Sequence, residues 1–211
     1  MRISNLLLFI AAIAAFGCGS TEENNRKAAL PIYGNFTLEE GKNGEIDTLY
    51  HTIGNFSFYN QDSTLITEKS TLGKVYVADF FFTSCQEICI PMAGQMLRVH
   101  EAYANNTEFM ILSHSIDPEF DTVPELKKYA NKLDIPDSTN WHFLTGQLTN
   151  VFELGEKKYM VTAHEDNTAP GGVLHSGHFL LVDRKGRIRG VYDGTDPNAV
   201  DQLIAEIKIL L

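Results

Sequence analysis

The chain of 211 residues has few cysteines, few basic side chains and no apolar run long enough to cross a bilayer. Its 17 lysines and arginines stand against 27 aspartates and glutamates, which gives a formal net charge of −10 at pH 7. Nucleic acids are bound through basic surfaces, so this deficit argues against nucleic acid as a partner. Three cysteines are too few for a disulfide scaffold. The hydrophobic content of 44% is enough for one domain with a hydrophobic core.

The first cysteine lies in an N-terminal segment typical of exported proteins. Leu6–Phe16 is an apolar run of eleven residues that follows Arg2 and leads into Gly17 and Cys18. This arrangement resembles a bacterial lipoprotein signal, in which the lipidated cysteine becomes the first residue of the mature chain. Residues 1–18 are therefore interpreted as a signal peptide with Cys18 as the lipidation site, and a plain secretory signal or membrane anchor is the alternative. Each interpretation predicts a domain exported to the periplasmic or extracytoplasmic side of the cell membrane, which is an oxidising compartment.

The rest of the chain is predicted to be a polar tether, residues 19–35, followed by one folded domain, residues 36–211. The stretch after Cys18 is polar and lacks hydrophobic periodicity, which is typical of a tether. In the domain, strand patterns alternate with helix patterns, which indicates a partly parallel sheet with helices on both faces. The last hairpin and helix suit an α/β fold of thioredoxin-like type, with a central mixed sheet flanked by helices and an N-terminal strand or hairpin extension. The predicted strands are Asp47–Tyr59, Ser63–Thr67, Lys74–Phe82, Phe109–Ile116, Trp141–Leu144, His178–Val182 and Arg187–Tyr192, and the predicted helices are Ile88–Tyr103, Thr122–Leu133, Leu148–Lys158 and Asp196–Leu211.

The other two cysteines, Cys85 and Cys89, lie four residues apart between a buried strand and a helix. Cys85 follows the strand Lys74–Phe82, and Cys89 is expected one turn into the next helix. This spacing places both side chains on one face, where the sulfurs can form a disulfide or converge on one ion. A helix N-terminus favours the thiolate, which is both a nucleophile and a soft metal ligand. Sites in open α/β sheets collect beyond the carboxyl ends of strands, so the pair is predicted to be a redox or metal site.

A metal site would need a further ligand, for which histidine is the obvious candidate. His175 follows two glycines at a predicted loop–strand junction, from which an imidazole could reach the cysteine turn. His114, at the end of the neighbouring strand, is the other candidate. The remaining histidines are assigned elsewhere: the surface for His51 and His100, the core for His142, a loop for His164 and a strand for His178.

Four stretches together resemble the Sco/SenC family, which are copper-binding thioredoxin-fold proteins that assist cytochrome c oxidase assembly. They are GKVYVADFFFTSCQEIC, SIDPEFDTVPELKKYA, WHFLTG and VLHSGHFLLVDRKGRIRGVY, and the resemblance extends from about Gly54 to the C-terminus. It implies that Cys85, Cys89 and His175 bind one copper ion, as Cu(I), Cu(II) or both. Two thiolates and an imidazole suit Cu(I), whereas zinc normally takes four ligands. The resemblance also implies a metallochaperone that delivers copper to the binuclear site of oxidase subunit II or a similar client, or keeps the cysteines of that site reduced.

The sequence departs from the family pattern at three positions. Gln86 stands where the family has proline after the first cysteine, and Ile90 separates the second cysteine from Pro91. Leu174 replaces an aspartate before the histidine, which removes a charge that could orient the imidazole.

Three alternative functions use the same cysteines without copper. If the chain is an enzyme, it is expected to be a membrane-tethered thiol–disulfide oxidoreductase that cycles Cys85 and Cys89 with a thiol reductant. Thioredoxins have two residues between their cysteines, however, and this chain has three. A peroxidase of the peroxiredoxin type would have threonine three residues before the reactive cysteine, where this chain has Phe82. A static disulfide would make the pair purely structural.

Overall fold

The fold is that of a computed structural model in which residues 29–137, 139–165, 173–175 and 177–211 are described, with the backbone alone for 163–165 and 173–175. The predicted signal peptide, Cys18 and the first part of the predicted tether lie outside these residues. The strands are β1 Phe36–Glu40, β2 Ile46–Tyr50, β3 Ser57–Asn60, β4 Leu65–Thr67, β5 Val75–Phe81, β6 Phe109–Ser115, β7 Trp141–Thr145, β8 Ala163–Glu165, β9 Val173–His175, β10 His178–Val182 and β11 Ile188–Asp193. The helices are α1 Glu68–Thr71, α2 Cys89–Tyr103, α3 Val123–Lys132, α4 Leu148–Glu153 and α5 Pro197–Leu210, and a π-helical segment, Leu154–Tyr159, continues α4.

A seven-stranded mixed sheet forms the centre of the domain, with the order β11-β10-β5-β6-β7-β3-β4. The strands β5, β6 and β7 are parallel, and the outer strands pair antiparallel to their neighbours. Every residue of β5 and β6 is buried, as their nearly continuous apolar sequences predicted. The mixed sheet, its helices and the N-terminal hairpin β1–β2 confirm the predicted thioredoxin-like class.

The parallel pairing of β5 with β6 brings two loops to the same edge of the sheet. Phe81 at the end of β5 lies opposite Ser115 at the end of β6. The amide of Ile116 then donates a hydrogen bond of 2.9 Å to the carbonyl of Phe81. The loop after β5, residues 82–88, therefore lies beside the loop after β6, residues 116–122. We call them the cysteine loop and the aspartate loop.

The last residues of the predicted tether are attached to the domain. The Arg189 guanidinium, on β11, donates hydrogen bonds to the carbonyls of Leu30 and Pro31. The amide of Tyr33 donates to the carbonyl of Ile188, at 2.9 Å. The part of residues 19–35 that the structure describes is therefore held against β11 rather than hanging free.

Several local predictions differ from the structure. The segment Leu148–Lys158 was expected to be one helix but divides into α4 and the π-helical segment, and His164 lies in β8 instead of a loop. His100, expected on the surface, is buried, because its ring packs on Trp141 at a centroid distance of 5.7 Å and its Nδ1 lies 3.1 Å from the side-chain oxygen of Asn140.

Candidate metal and thiol site

The two cysteines differ in their exposure to solvent. Cys85 lies in the cysteine loop, where its amide donates a hydrogen bond of 3.2 Å to the carbonyl of Phe82, and its side chain is half-buried. Cys89 is the first residue of α2 and is only 4% exposed. The expectation that Cys89 lies one turn into the helix was therefore wrong. Both cysteines are thiols in the described part of the chain, and Cys89 forms a hydrogen bond with Cys85.

The burial of Cys89 favours its protonated form. Removal from water raises the pKa of the Cys89 thiol, and the hydrogen bond to Cys85 and the charge of Asp79 raise it further. A hydrogen bond with the backbone of Phe82 acts in the opposite direction but is outweighed. The sequence had suggested that the helix N-terminus would favour the thiolate. In the structure, desolvation is the larger effect, so a thiolate at Cys89 needs a compensating cation nearby.

A buried carboxylate holds the cysteine loop in place. Asp121, on the aspartate loop, is fully buried and accepts hydrogen bonds from the amide and the hydroxyl of Thr83, two residues before Cys85. It also accepts a hydrogen bond of 2.6 Å from the hydroxyl of Ser115. Burial raises the pKa of Asp121, and these hydrogen bonds oppose that rise. Asp121 therefore ties the end of β6 to the loop that carries the thiols.

A second buried carboxylate lies beneath the pair, on β5. The Asp79 side chain accepts a hydrogen bond of 2.5 Å from the Ser113 hydroxyl, which in turn accepts one of 2.9 Å from the indole N–H of Trp141. Burial raises the pKa of Asp79 to about 7. Neither carboxylate was predicted from the sequence to have a role at the site. For Asp79, the signal was a charged residue inside a strand predicted to be buried on both faces.

The backbone that carries His175 reaches the N-terminus of α2. His175 ends β9, where it pairs with Ala163 of β8. Gly177 follows two residues later, and a side-chain carbon at that position would lie only 2.6 Å from Cδ1 of Ile88, the residue before Cys89. Because two residues span at most about 7 Å, the backbone of His175 lies within about that distance of Gly177, which borders the residue before Cys89. The side chain of His175 is outside the described residues, and the side chains that are described include no cluster of three or more His, Cys, Asp or Glu suited to a metal ion.

The second histidine candidate does not face the thiol pair. His114 is completely buried, and its ring stacks on Phe80 at a centroid distance of 5.3 Å and meets Phe58 edge-on at 5.4 Å. Neither ring nitrogen hydrogen bonds to a group in the described part of the chain. Burial lowers the pKa of His114 to about 3, so the ring is neutral. His114 is therefore part of an aromatic core cluster.

No helix among the described residues is long and apolar enough to span a membrane. The apolar segment before Cys18 is outside that part of the chain.

Comparison with known proteins identifies relatives across most of the chain. The family described as SCO1/SenC matches residues 45–211. A curated relative, the SCO1 protein homolog of Bacillus subtilis, is 32% identical over 163 residues, which are 77% of this chain and 84% of the relative.

Solved structures show the same similarity. A SCO1/SenC family lipoprotein from Bacillus anthracis is 30% identical with a TM-score of 0.68, over 76% of this chain and 95% of that one. BsSco, described as a member of the Sco family of cytochrome c oxidase assembly proteins with a disulfide switch, is 31% identical with a TM-score of 0.66, over 76% and 93%. Yeast Sco1 with copper bound is 25% identical with a TM-score of 0.59, over 75% and 89%. With its fold and its paired thiols at the end of β5, the chain belongs to the SCO1/SenC family.

Proposed function

We propose that this chain is a copper metallochaperone that binds one copper ion through Cys85, Cys89 and His175. Its role would be to assist maturation of the binuclear copper site in subunit II of cytochrome c oxidase. The observation that carries the proposal is the contact between the two thiols at the N-terminus of α2, beside the backbone that leads from His175. Copper is then a cargo that the protein passes on.

The chemistry of the donor atoms fits copper. Two sulfurs that already contact each other can share one ion with little rearrangement, and thiolates bind soft Cu(I) in preference to hard ions. Binding would also compensate the unfavourable burial of a thiolate at Cys89, because the metal supplies the missing positive charge. Copper-bound yeast Sco1 supports this choice of ion through its similarity to the chain.

The thiol pair also supports a second function, disulfide exchange. In this reaction the two thiols of the chain are oxidised to a disulfide while a disulfide in the client is reduced to two thiols, so the electrons balance. Two thiols in hydrogen-bond contact are placed for this reaction, and the disulfide switch attributed to BsSco supports it by similarity. The chain would then be a membrane-tethered thiol–disulfide oxidoreductase that requires no metal.

We also propose that Cys18 carries a lipid that tethers residues 36–211 to the outer side of the cell membrane. The apolar run before Gly17 and the polar stretch after Cys18 support this location, as does the description of the Bacillus anthracis relative as a lipoprotein. Metabolic labelling with a radioactive fatty acid tests it, because Cys18→Ser should abolish the labelling.

Titration of the reduced protein with Cu(I) against a competing chelator tests the copper site. The protein would begin after residue 18, since the described residues already contain the whole sheet and its core. We expect one tightly bound ion, lost in Cys85→Ser and weakened at least tenfold in His175→Ala. His178→Ala is the matched control, because His178 is an exposed histidine on the next strand.

The same variants separate the two functions. The metallochaperone is supported if His175→Ala loses copper binding while Cys85 and Cys89 still cycle between dithiol and disulfide in that variant. Copper retention that does not change in His175→Ala contradicts the three-ligand site. Weak binding in the unmodified protein, together with fast reduction of a client disulfide, favours the oxidoreductase.

A further inference from the structure

In the part of the chain that the structure describes, Cys85 is the more accessible of the two sulfurs. Cys89 is 4% exposed, at the start of α2, whereas Cys85 is half-buried and lies in the cysteine loop. A protein that takes copper, or exchanges a disulfide, must bring its own sulfur to within bonding distance of this pair. Its surface must therefore cover the residues around Cys85. This requirement holds for both functions proposed above.

The surroundings of Cys85 contain large apolar side chains that face solvent. Ile90, in the first turn of α2, is 59% exposed, and Phe120, in the aspartate loop, is 53% exposed. Phe120 lies beside the cysteine loop because its neighbour Asp121 binds Thr83. Ile88 is also partly exposed and borders Gly177 on the His175 side. Apolar side chains grouped around a reactive group indicate a surface that a partner covers.

The charged side chains within the two loops have one sign. Glu87 and Glu119 are exposed in the cysteine and aspartate loops. Residues 82–90 and 116–122 include no lysine or arginine. A partner with acidic groups at the matching positions would be repelled, and a partner with basic groups would be attracted. These side chains therefore fit a partner surface that is apolar at its centre and positively charged at its edge.

We propose that Ile90 and Phe120, bordered by Glu87 and Glu119, form the docking surface for the copper-accepting client. The occupant is the loop of the client that carries its copper-binding cysteines, seated in an apolar surface with lysine or arginine at its edge. The inference rests on the proposed function, since it takes the client to be a protein with cysteine ligands. In the docked complex, a client thiolate bonds to Cu(I) while the bond from Cu(I) to Cys85 breaks. The proton that the client thiol gives up passes to the released Cys85 sulfur, so the exchange balances and no electron is transferred.

Two measurements on residues 19–211 test the docking surface. The first is the affinity between this protein, free of copper, and the reduced, copper-free soluble domain of oxidase subunit II from the same organism, measured by calorimetry. The second is the rate at which Cu(I) passes to that domain, compared with the rate at which a small chelator removes Cu(I). We expect the double variant Ile90→Ser, Phe120→Ser to lose at least tenfold in affinity and in the rate of transfer to the protein. The chelator should remove copper at an unchanged rate, because a small molecule needs no docking surface.

Matched controls remove exposed apolar side chains far from the thiols. The controls are Leu72→Ser and Phe36→Ser. Leu72 precedes β5, whose length of about 20 Å separates it from the cysteine loop, and Phe36 lies in the N-terminal hairpin. Both should leave affinity and transfer unchanged. The variants Glu87→Gln and Glu119→Gln should weaken docking and reduce its dependence on salt, because screening then acts on fewer charges.

The outcomes separate this inference from the proposed function. The docking surface is refuted if the double variant Ile90→Ser, Phe120→Ser binds the client and transfers copper like the unmodified protein. It is also refuted if the control variants lose as much affinity and transfer rate as the double variant. If the unmodified protein binds no Cu(I), the copper-delivery proposal fails. The copper-free affinities then still decide whether Ile90 and Phe120 bind the client. Circular dichroism of each variant verifies that the fold is kept, and the single variant Phe120→Ala repeats the test with the smaller change.

Discussion

Replacement of Asp121 by alanine tests whether a buried carboxylate holds the cysteine loop in place. The carboxylate accepts three hydrogen bonds, from the amide and hydroxyl of Thr83 and from the hydroxyl of Ser115. Two of these donors belong to the loop that carries Cys85, and the third belongs to β6. The variant should therefore affect both the stability of the fold and the position of the thiols.

The expected loss of stability follows from the donors that remain. A buried donor without an acceptor costs about 1–3 kcal/mol. Ser115 is fully buried and incurs this cost, whereas Thr83 is half-exposed and can bond to water in part. Removing a carboxylate whose pKa is raised by burial returns some of its desolvation energy. We expect a net loss of about 2–4 kcal/mol, less than the stability of a typical domain, so the variant should still fold.

Urea unfolding and Cu(I) competition measure the two effects separately. The free energy of unfolding should fall in Asp121→Ala, and the affinity for Cu(I) should fall about tenfold because Cys85 loses its fixed position. The conservative variant Asp121→Asn keeps one acceptor oxygen and should lose less. Asp47→Ala, an exposed aspartate in the hairpin, is the control. A stability change below about 0.5 kcal/mol in Asp121→Ala, or equal losses in Asp47→Ala, would refute the reasoning.

Two further predictions concern the core and the segment next to His175. Because burial lowers the pKa of His114 to about 3, the unfolded chain binds more protons than the folded chain once the pH falls below the ordinary histidine pKa of about 6.5. His114 should therefore lower the free energy of unfolding by up to about 1.4 kcal/mol per pH unit between about pH 6 and 4. His114→Phe should reduce the slope measured in urea titrations by that contribution, while His142, whose pKa burial lowers to about 4, keeps its own; an unchanged slope contradicts the assignment. A side-chain carbon at Gly194 would lie 2.7 Å from Cε1 of Phe179 and 2.9 Å from the carbonyl oxygen of Gly177, so Gly194→Ala should displace the Phe179 ring and the backbone near His175. We expect it to weaken Cu(I) binding several-fold, but to have no such effect in a His175→Ala background. Equal losses of Cu(I) affinity in the two backgrounds would show that Gly194→Ala does not act through His175.

The sequence predicted the central sheet well because the signals for it are local. The strand predicted as Lys74–Phe82 was found as Val75–Phe81, and the one predicted as Phe109–Ile116 was found as Phe109–Ser115. Strands buried on both faces carry runs of apolar residues that are visible without any partner. The position of Cys85 after β5 followed from the same pattern.

The contacts that hold the cysteine loop in place join distant parts of the chain, and such contacts have no local signal in the sequence. Asp121 and Thr83 are 38 residues apart and meet only because β5 and β6 are parallel neighbours. The burial of His100 likewise depends on Trp141 and Asn140, which come from the next crossover of the sheet. The pKa of Cys89 was misjudged for the same reason, since its desolvation comes from packing and not from its place on a helix.

The unequal exposure of the two thiols gives both candidate functions the same order of events. In copper transfer, a client ligand reaches Cys85 first, and Cys89 releases the ion last because it is the more enclosed. In disulfide exchange, the accessible Cys85 attacks first and Cys89 then closes the internal disulfide. Both proposed reactions would therefore begin at Cys85, and they differ in that copper transfer moves no electrons and uses His175 as a ligand, whereas disulfide exchange moves two electrons and needs no histidine. We therefore expect a change near His175 to weaken copper binding while leaving thiol exchange at Cys85 intact. In this chain, replacement of His175 in β9, rather than a change in the cysteine loop, should therefore distinguish the two proposed functions.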